Sequence, residues 1–287
     1  MATLTRRPAS IRRGRRLARV VTLTGLVLGG LFAALPFVWM AFSSFKTNQE
    51  IFEYPPRLIT PGFSFEPYLK ILTDPAQLRF FTNSYLVAAF VVVLTLLVAV
   101  HAAYAFSRFN FPGKAALNIA IISIQAVPPV ALLIPYFGLL VVLRLYNSYQ
   151  GLVLTYIVLT ISYAIIMMTG YFNSLPRELD EAARVDGASY FHTLWRILIP
   201  ISLPGIVSVG MYTFMISWNE YLFALTLTRT NEMRTVPIGI QLLMGEHSYD
   251  WNQMMAMSVL GAAPVILLFV LFQRYFLGGM TAGAVKS

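Results

Sequence analysis

The sequence contains no cysteine, so the chain can form no disulfide bond and offers no thiol for catalysis or metal binding. It has only three histidines, and neither H-E-x-x-H nor any Cys/His metal spacing occurs. The G-x-x-x-x-G-K-[ST] loop that cradles ATP phosphates is missing, as is the G-x-S-x-G pattern of serine hydrolases. These absences argue against an enzyme and against a chain that itself holds a nucleotide, a metal or another cofactor.

Charged residues are also scarce. They make up 11% of the 287 residues, whereas soluble domains carry roughly 25%. A spanning helix requires roughly 20 apolar residues, and six runs qualify: 20–43, 83–106, 115–143, 151–172, 199–227 and 254–272. We therefore predict an all-α, polytopic membrane protein with six transmembrane helices. The first run is longer than the apolar region of a typical signal peptide, which favours an uncleaved span.

Positive charge is concentrated before the first run, in Arg6, Arg7, Arg12, Arg13, Arg15, Arg16 and Arg19. Such residues favour the cytoplasmic side of a span, where they also meet anionic lipid, so both termini are predicted to be cytoplasmic. The predicted domains are a basic tail (1–19), a transmembrane domain (20–277) and a cytoplasmic C-terminal tail (278–287). The net charge of +9 does not indicate nucleic-acid binding, because no aromatic residues for base stacking lie among these arginines.

A long polar stretch, residues 174–200, interrupts the second half of the chain. Pro176 suits the first turn of a helix, and Glu178, Asp180 and Glu181 lie near the positive end of that helix. Gly187 suits the left-handed conformation that ends a helix. The pattern predicts a short helix, a sharp turn and a second helix between spans four and five, at the cytoplasmic surface.

The second helix of this stretch has its own signals. Ser189 can cap its N-terminus. Four apolar residues then recur at the spacing of a single helical face: Phe191, Leu194, Trp195 and Leu198. We expect these side chains to share one apolar face.

The same stretch carries a resemblance to a known family. Its residues Glu181-Ala182-Ala183, Gly187 and Ile197-Leu198-Ile199-Pro200 resemble the EAA loop of the permease subunits of ABC importers, with matching spacing throughout. Ile199 stands where leucine is usual, a replacement of similar volume. Residues 174–200 are called the EAA-like loop below.

Looser motifs extend the resemblance over nearly the whole chain after the basic tail. They are similar to the carbohydrate branch of these importers, in particular to maltose-type permeases with six spans. The motifs are Ser43-Ser44-Phe45-Lys46, Pro55-Pro56, Pro135-Tyr136-Phe137, Trp218-Asn219 and the tail 278–286.

The resemblance implies a multi-pass subunit in the cytoplasmic (inner) membrane of a bacterium or archaeon. Its implied partners are a second homologous permease, two copies of an ABC ATPase that bind ATP and Mg²⁺, and an extracytoplasmic substrate-binding protein. It also implies that the EAA-like loop docks on an ATPase, where Glu181 would pair with an ATPase arginine. The implied coupling residues are Glu181, Ala182, Ala183, Asp186, Gly187, Ile197 and Pro200.

Candidate residues of a substrate pathway lie in spans three and five. In span three, Gln125 stands close to Pro128, Pro129 and Pro135, and an amide at mid-depth must find polar partners. The prolines fit either a gating interruption or an ordinary packing kink. A polar cluster near the outer end of span five consists of Trp218, Asn219, Glu220 and Tyr221. Its aromatic rings suit either stacking on a sugar or an interfacial aromatic belt.

Two other functions stay open at this point. A permease for amino acids or peptides would share the EAA loop. A secondary transporter would require carboxylates at mid-depth, and the predicted spans contain only Glu220, near one end. His101, in span two, is predicted to be a hydrogen-bonded histidine of the helix bundle rather than a switch.

Overall fold

The computed structural model describes residues 9–245 and 249–282, with side chains in 18–245 and 249–275. Within these residues every regular element is a helix, and one isolated antiparallel bridge joins Met244 to Tyr249. In chain order the helices are α1 (Ala9–Ser43), α2 (Asn48–Ile51), α3 (Glu66–Thr73), α4 (Pro75–Arg108), α5 (Lys114–Gln125), α6 (Leu133–Val142), α7 (Tyr149–Ser174), α8 (Glu178–Val185), α9 (Tyr190–Ile201), α10 (Leu203–Asn219), α11 (Leu222–Leu227), α12 (Val236–Leu242) and α13 (Trp251–Ala282). Short 3₁₀ turns cover Pro129–Leu132 and Asn231–Met233.

Four of these helices are long and apolar enough to cross a membrane: Ala18–Ser43 within α1, α4, α7 and Trp251–Tyr275 within α13. Two bent pairs also pass this test, Lys114–Gln125 with Pro129–Val142 and Tyr190–Ile201 with Leu203–Asn219. The all-α, polytopic class is confirmed, and six spans result if each bent pair forms one span.

Both predicted tails lie partly outside the described part of the chain. Side chains of the basic tail are described only for Ala18 and Arg19, so the anchoring role of the other arginines stays a prediction. In the C-terminal tail, α13 continues through Ala282, and residues 283–287 lie outside the described residues.

The chain divides into two compact units, one made of residues 9–68 with 250–259 and the other of residues 69–245, 249 and 260–282. In the first unit, the Ser43–Lys46 motif forms the centre of a small aromatic cluster. The hydroxyls of Ser44 and Tyr68 lie 2.7 Å apart, and Phe45 stacks on Phe63 with ring centroids 4.7 Å apart. Lys46 is buried, donates to the carbonyl of Arg57 at 2.5 Å and lies over the Trp39 ring. The motif therefore has a structural role.

In the second unit the core is formed by α4, α7 and α10. One cluster surrounds Ala99, Met168 and Leu198 near the end of α4 that precedes α5, and another surrounds Val87 and Tyr156 toward the opposite end. Both clusters consist of apolar side chains buried between helices.

The third predicted span is broken rather than gently kinked. Instead of one helix over 115–143, α5 ends at Gln125 and the segment Pro129–Val142 continues at 96° to it. Pro129 has no N–H to donate to the carbonyl of Gln125, four residues earlier, so the α-helical ladder cannot continue across this point. The break therefore interrupts the α-helical hydrogen-bond ladder near the middle of the predicted span.

The fifth predicted span, 199–227, is also broken, and its long helix α10 covers only Leu203–Asn219. Ile199–Ile201 is the last turn of α9, and the chain bends by 80° before α10 begins at Leu203. Pro204, in the first turn of α10, cannot donate to the preceding turn. Gly205 then lets α10 approach α7, since a Cβ there would come within 2.6 Å of the Tyr171 ring.

Candidate functional site

The EAA-like loop folds as the predicted helix, turn and helix. Gly187 adopts the left-handed conformation, with φ of 82°. Its N–H donates to the carbonyl of Arg184 at 3.0 Å, and the N–H of Ala188 donates to Ala183 at 2.9 Å, which is a Schellman ending. The Ser189 hydroxyl then caps α9 by accepting from the N–H of His192 at 3.2 Å. The turn between the two helices is therefore defined by hydrogen bonds on both sides.

The start of α8 differs slightly from the prediction. The helix begins at Glu178, so Pro176 lies two residues before its first turn rather than within it. Leu175 instead ends α7, donating its N–H to the carbonyl of Phe172 at 3.2 Å. Consequently, only Pro176 and Arg177 separate the end cap of α7 from α8.

The two faces of α8 have different roles. Glu181, Ala182 and Val185 are exposed, and Val185 is 87% exposed despite being apolar. On the opposite face Ala183 is only 5% exposed. The three residues of the E-A-A sequence thus lie on different faces of α8: Glu181 and Ala182 point outward, and Ala183 packs inward. Asp186 and Gly187 are also exposed, at the turn.

An ion pair ties the inner face of α8 to the end of α4. Arg108 and Asp180 approach within 2.8 Å, and their side chains are only 6% and 15% exposed. Arg108 also donates to the carbonyl of Leu175 at 3.3 Å, and Arg177 donates to the carbonyl of Ser107 at 3.3 Å. Every partner lies at the junction of α4, α7 and α8, so these contacts attach α8 to the ends of two long helices.

The predicted apolar face of α9 is only half correct. Leu194 and Leu198 are buried against α4 and α7, whereas Phe191 and Trp195 are exposed. The reason is that Thr193–Leu198 forms a π-helical turn, which has more residues per turn than the assumed α-helix. Ile197 is half-buried, and Pro200 is exposed.

Trp195 instead contacts the histidine of span two. Its indole N–H donates to Nε2 of His101 at 3.3 Å, while Nδ1 of His101 lies 2.7 Å from the carbonyl of Leu97. His101 is thus hydrogen-bonded, as predicted, and it links α4 to α9.

The predicted pathway residues have different surroundings, and their role in a pathway stays a prediction. Gln125 lies at the break of the third span and lines a cavity there with Tyr163 and Tyr212. Trp218 is 3% exposed and donates its indole N–H to the carbonyl of Gly261 at 2.9 Å. The Trp218 ring also stacks on Phe214, so in this structure it is not available to stack on a substrate.

Glu220 caps a helix. Its two carboxylate oxygens accept from the N–H groups of Phe223 at 2.8 Å and Ala224 at 2.9 Å, in the first turn of α11. Asn219 donates to the carbonyl of Met215 at 2.8 Å, and Tyr221 is partly exposed at the start of α11. The charged residue inside this apolar run therefore satisfies backbone groups where α10 ends and α11 begins. Among the described residues, no group of three or more His, Asp or Glu side chains is placed to hold a metal ion.

Comparison with known proteins places this architecture in a family. Residues 92–279, which contain the EAA-like loop, match the family described as "Binding-protein-dependent transport system inner membrane component". The chain belongs to this family of permeases.

Relatives of this permease match it over nearly their full length. A sulfoquinovosyl glycerol transport system permease protein of Agrobacterium fabrum is 35% identical over 94% of this chain and 93% of its own. A trehalose/maltose transport system permease protein of Thermococcus litoralis is also 35% identical, over 94% of this chain and 98% of its own. In a solved bacterial ABC transporter involved in alginate import, one chain is 25% identical with a TM-score of 0.79, covering 92% of the permease and 98% of that chain.

Two features of the permease were not predicted from its sequence. The sequence indicated only that Asp180 is an acid near a helix N-terminus, although Asp180 forms a buried ion pair with Arg108. The pairing of Tyr163 with Tyr212, at 4.1 Å between ring centroids, was also missed. The partners in each pair lie far apart in the sequence, so no local spacing connects them.

Trp218→Phe should lower the stability of the purified permease by about 1–3 kcal/mol, because the carbonyl of Gly261 is left without its buried donor. Thermal unfolding measures this change. Tyr221→Leu removes a partly exposed ring three residues away and should change stability much less. An unchanged unfolding midpoint together with a raised KM for transport would instead place Trp218 in the substrate pathway.

Proposed function

We propose that the permease moves a carbohydrate across the cytoplasmic membrane of a bacterium or archaeon as one subunit of an ABC importer. The names of two relatives, a sulfoquinovosyl glycerol permease and a trehalose/maltose permease, support this substrate class. Family membership supports the requirement for a binding protein. No observation on the described residues favours an amino acid or peptide as the substrate over a carbohydrate.

The proposed complex contains this permease, a second homologous permease, two copies of an ABC ATPase and an extracytoplasmic binding protein. ATP and Mg²⁺ belong to the ATPases, and the permease itself holds no cofactor. Both termini and the EAA-like loop face the cytoplasm in this arrangement. The positive charge of Arg108, Lys114, Arg177, Arg184 and Arg196, around the junction of α4, α5, α8 and α9, supports that orientation.

The exposed face of α8, backed by a buried ion pair, is the observation that carries the proposed coupling. Glu181 and Ala182 present a carboxylate beside a minimal side chain, which suits close docking into a cleft. The Arg108–Asp180 pair behind them fixes α8 to α4. Closure of the ATPases would then displace α8 and the attached helices as a rigid body, changing the side to which the pathway opens.

Glu181→Ala tests this docking in the complex reconstituted in proteoliposomes. If Glu181 pairs with a cation in the ATPase cleft, its removal loses a charged hydrogen bond of about 1.5–3 kcal/mol. We expect stimulation of ATP hydrolysis by loaded binding protein, and ATP-driven uptake, to fall roughly 10- to 100-fold. Nucleotide binding to the ATPases should be unchanged.

Glu178→Ala is the matched control, since it removes the same charge from the same exposed side of α8 one turn earlier. It should retain most of the stimulation. Equal losses from both variants would indicate a general effect of charge and contradict a specific contact of Glu181. Normal transport by Glu181→Ala would contradict the docking itself.

A further inference from the structure

A cavity of about 230 Å³ lies at the break of the third span. Its polar lining consists of Gln125, Ser162, Tyr163 and Tyr212, and the rest is apolar, as in Val158 and Leu132. None of the lining side chains is charged. The cavity is smaller than the roughly 300–1,000 Å³ of typical pockets for drug-sized ligands, so it suits a single ring of a larger molecule.

The polar lining of this cavity lacks hydrogen-bond partners in the part of the chain that the structure describes. Across the described residues, no hydrogen bond is made by the amide of Gln125 or by the hydroxyls of Ser162, Tyr163 and Tyr212. Ser162 is nevertheless only 4% exposed. Polar groups in a membrane span are costly unless they bond to protein, water or a ligand. Gln125 and Tyr163 are exposed, so the cavity is open on one side, and four polar groups around it favour a polar occupant.

The depth of the cavity fits a translocation path. Tyr163 is the fifteenth of the 26 residues of α7, and Tyr212 is the tenth of the 17 residues of α10. The break after Gln125 lies near the middle of the third span. Three helices therefore place their midpoints at the cavity, and broken helices with free backbone groups at mid-depth are a recurring way of building transport sites.

The lining chemistry selects among substrate classes. The rings of Tyr163 and Tyr212 lie 4.1 Å apart at 33°, which gives the wall an aromatic surface beside hydroxyl groups. The amide of Gln125 both donates and accepts, so it matches hydroxyl groups of either role. A charged ligand would lie here without a counter-charge from the lining, which is unfavourable in a low-dielectric site.

We propose that this cavity is a saccharide subsite, in which one neutral, hydroxyl-rich ring contacts the Tyr163–Tyr212 pair and hydrogen-bonds to Gln125 and Ser162. The proposal rests on the proposed function and deepens it, since it assigns to this chain a direct contact with the substrate. It also narrows the substrate to an uncharged saccharide.

The absence of cysteine permits a direct test, because one introduced thiol is the only one in this chain. Gln125→Cys and Ser162→Cys place a thiol in the cavity, and Ser162→Cys replaces only an oxygen by a sulfur. Each variant, in the assembled complex in proteoliposomes, is treated with a small water-soluble methanethiosulfonate in each nucleotide state. Ser174→Cys, on the same helix but at its exposed end, is the control.

We expect both cavity thiols to react, and the neutral disaccharides maltose and trehalose, or whichever of them is transported, to slow the reaction. At a saccharide concentration ten times its dissociation constant, labelling should slow about tenfold. Labelling of Ser174→Cys should be unaffected. Alginate oligosaccharide and methionine, the acidic and amino-acid probes, should not protect either cavity position.

Other results would overturn the inference in distinguishable ways. Uptake of a neutral saccharide without protection at positions 125 and 162 would refute the subsite while leaving the proposed function intact. Protection by alginate oligosaccharide or methionine alone would refute the neutral substrate class. A complex that hydrolyses ATP but takes up no saccharide would refute the proposed function. Cavity thiols that remain unreactive in every nucleotide state would refute the subsite, because the cavity would then not belong to a path open to water.

Discussion

Asp180→Asn should weaken the attachment of α8 more than any other single change in the EAA-like loop. It leaves the Arg108 guanidinium, only 6% exposed, without its counter-charge at the junction of α4, α7 and α8. Removing one partner of a buried ion pair typically destabilises by about 3–5 kcal/mol. We expect a lower unfolding midpoint of the purified permease. In the reconstituted complex, we expect ATP hydrolysis that no longer responds fully to loaded binding protein.

A double variant tests whether coupling requires the charges of Arg108 and Asp180 or only the rigid attachment of α8 to α4. Arg108→Met with Asp180→Leu replaces the ion pair by apolar side chains of related size, a change that is often neutral for stability. It should regain much of the midpoint lost in Asp180→Asn, and recover coupling with it if rigid attachment is what matters. If Asp180→Asn behaves like the wild type in both measurements, the pair does not hold α8 in place.

Local signals predicted the EAA-like loop well because its structure depends on neighbouring residues. Gly187 ends α8 in the left-handed conformation, and Ser189 caps α9, as their residue types indicate. Both effects are decided within one turn of helix. The apolar run lengths likewise identified the long helices, because the thickness of the bilayer fixes that length.

The contacts that support the site depend instead on residues far apart in the sequence. Arg108 meets Asp180 because the ends of α4 and α7 lie side by side, which no spacing reveals. Trp218 resembled a residue of the pathway mouth, yet the carbonyl of Gly261 in α13 gives its indole a buried partner. The residue type indicates that Trp218 needs a hydrogen-bond partner, but it does not indicate whether that partner is a substrate or another helix.

Backbone irregularities account for the remaining errors. The prolines of span three indicated a bend, but the residue types alone did not give its 96° angle. The π-helical turn in α9 has no comparable signature, and it changed which of the four apolar residues are buried. Periodicity predicts a helical face only where the helix keeps its ordinary pitch.

Gly187→Val should have the second largest effect, through the backbone alone. No heavy atom lies within 4 Å of the position that a Cβ would occupy, so the substitution meets no steric obstacle from neighbours. The left-handed conformation nevertheless costs an ordinary residue about 1–2 kcal/mol, and a β-branched residue fits it worst. Relief of this strain would open the turn and change the angle between α8 and α9, so we expect a large loss of coupled ATP hydrolysis and transport.

Gly113 supplies the control, because it has φ of 83° and equally open surroundings in the turn between α4 and α5. Gly113→Val carries the same backbone cost, so its unfolding midpoint should fall by a similar amount. If the EAA-like loop is the coupling element, only Gly187→Val should lose stimulation of ATP hydrolysis by loaded binding protein. Gly187→Asn should lose less of this stimulation, because asparagine tolerates the left-handed region. Equal loss of coupling in both valine variants would attribute the effect to general destabilisation rather than to the turn that positions α8.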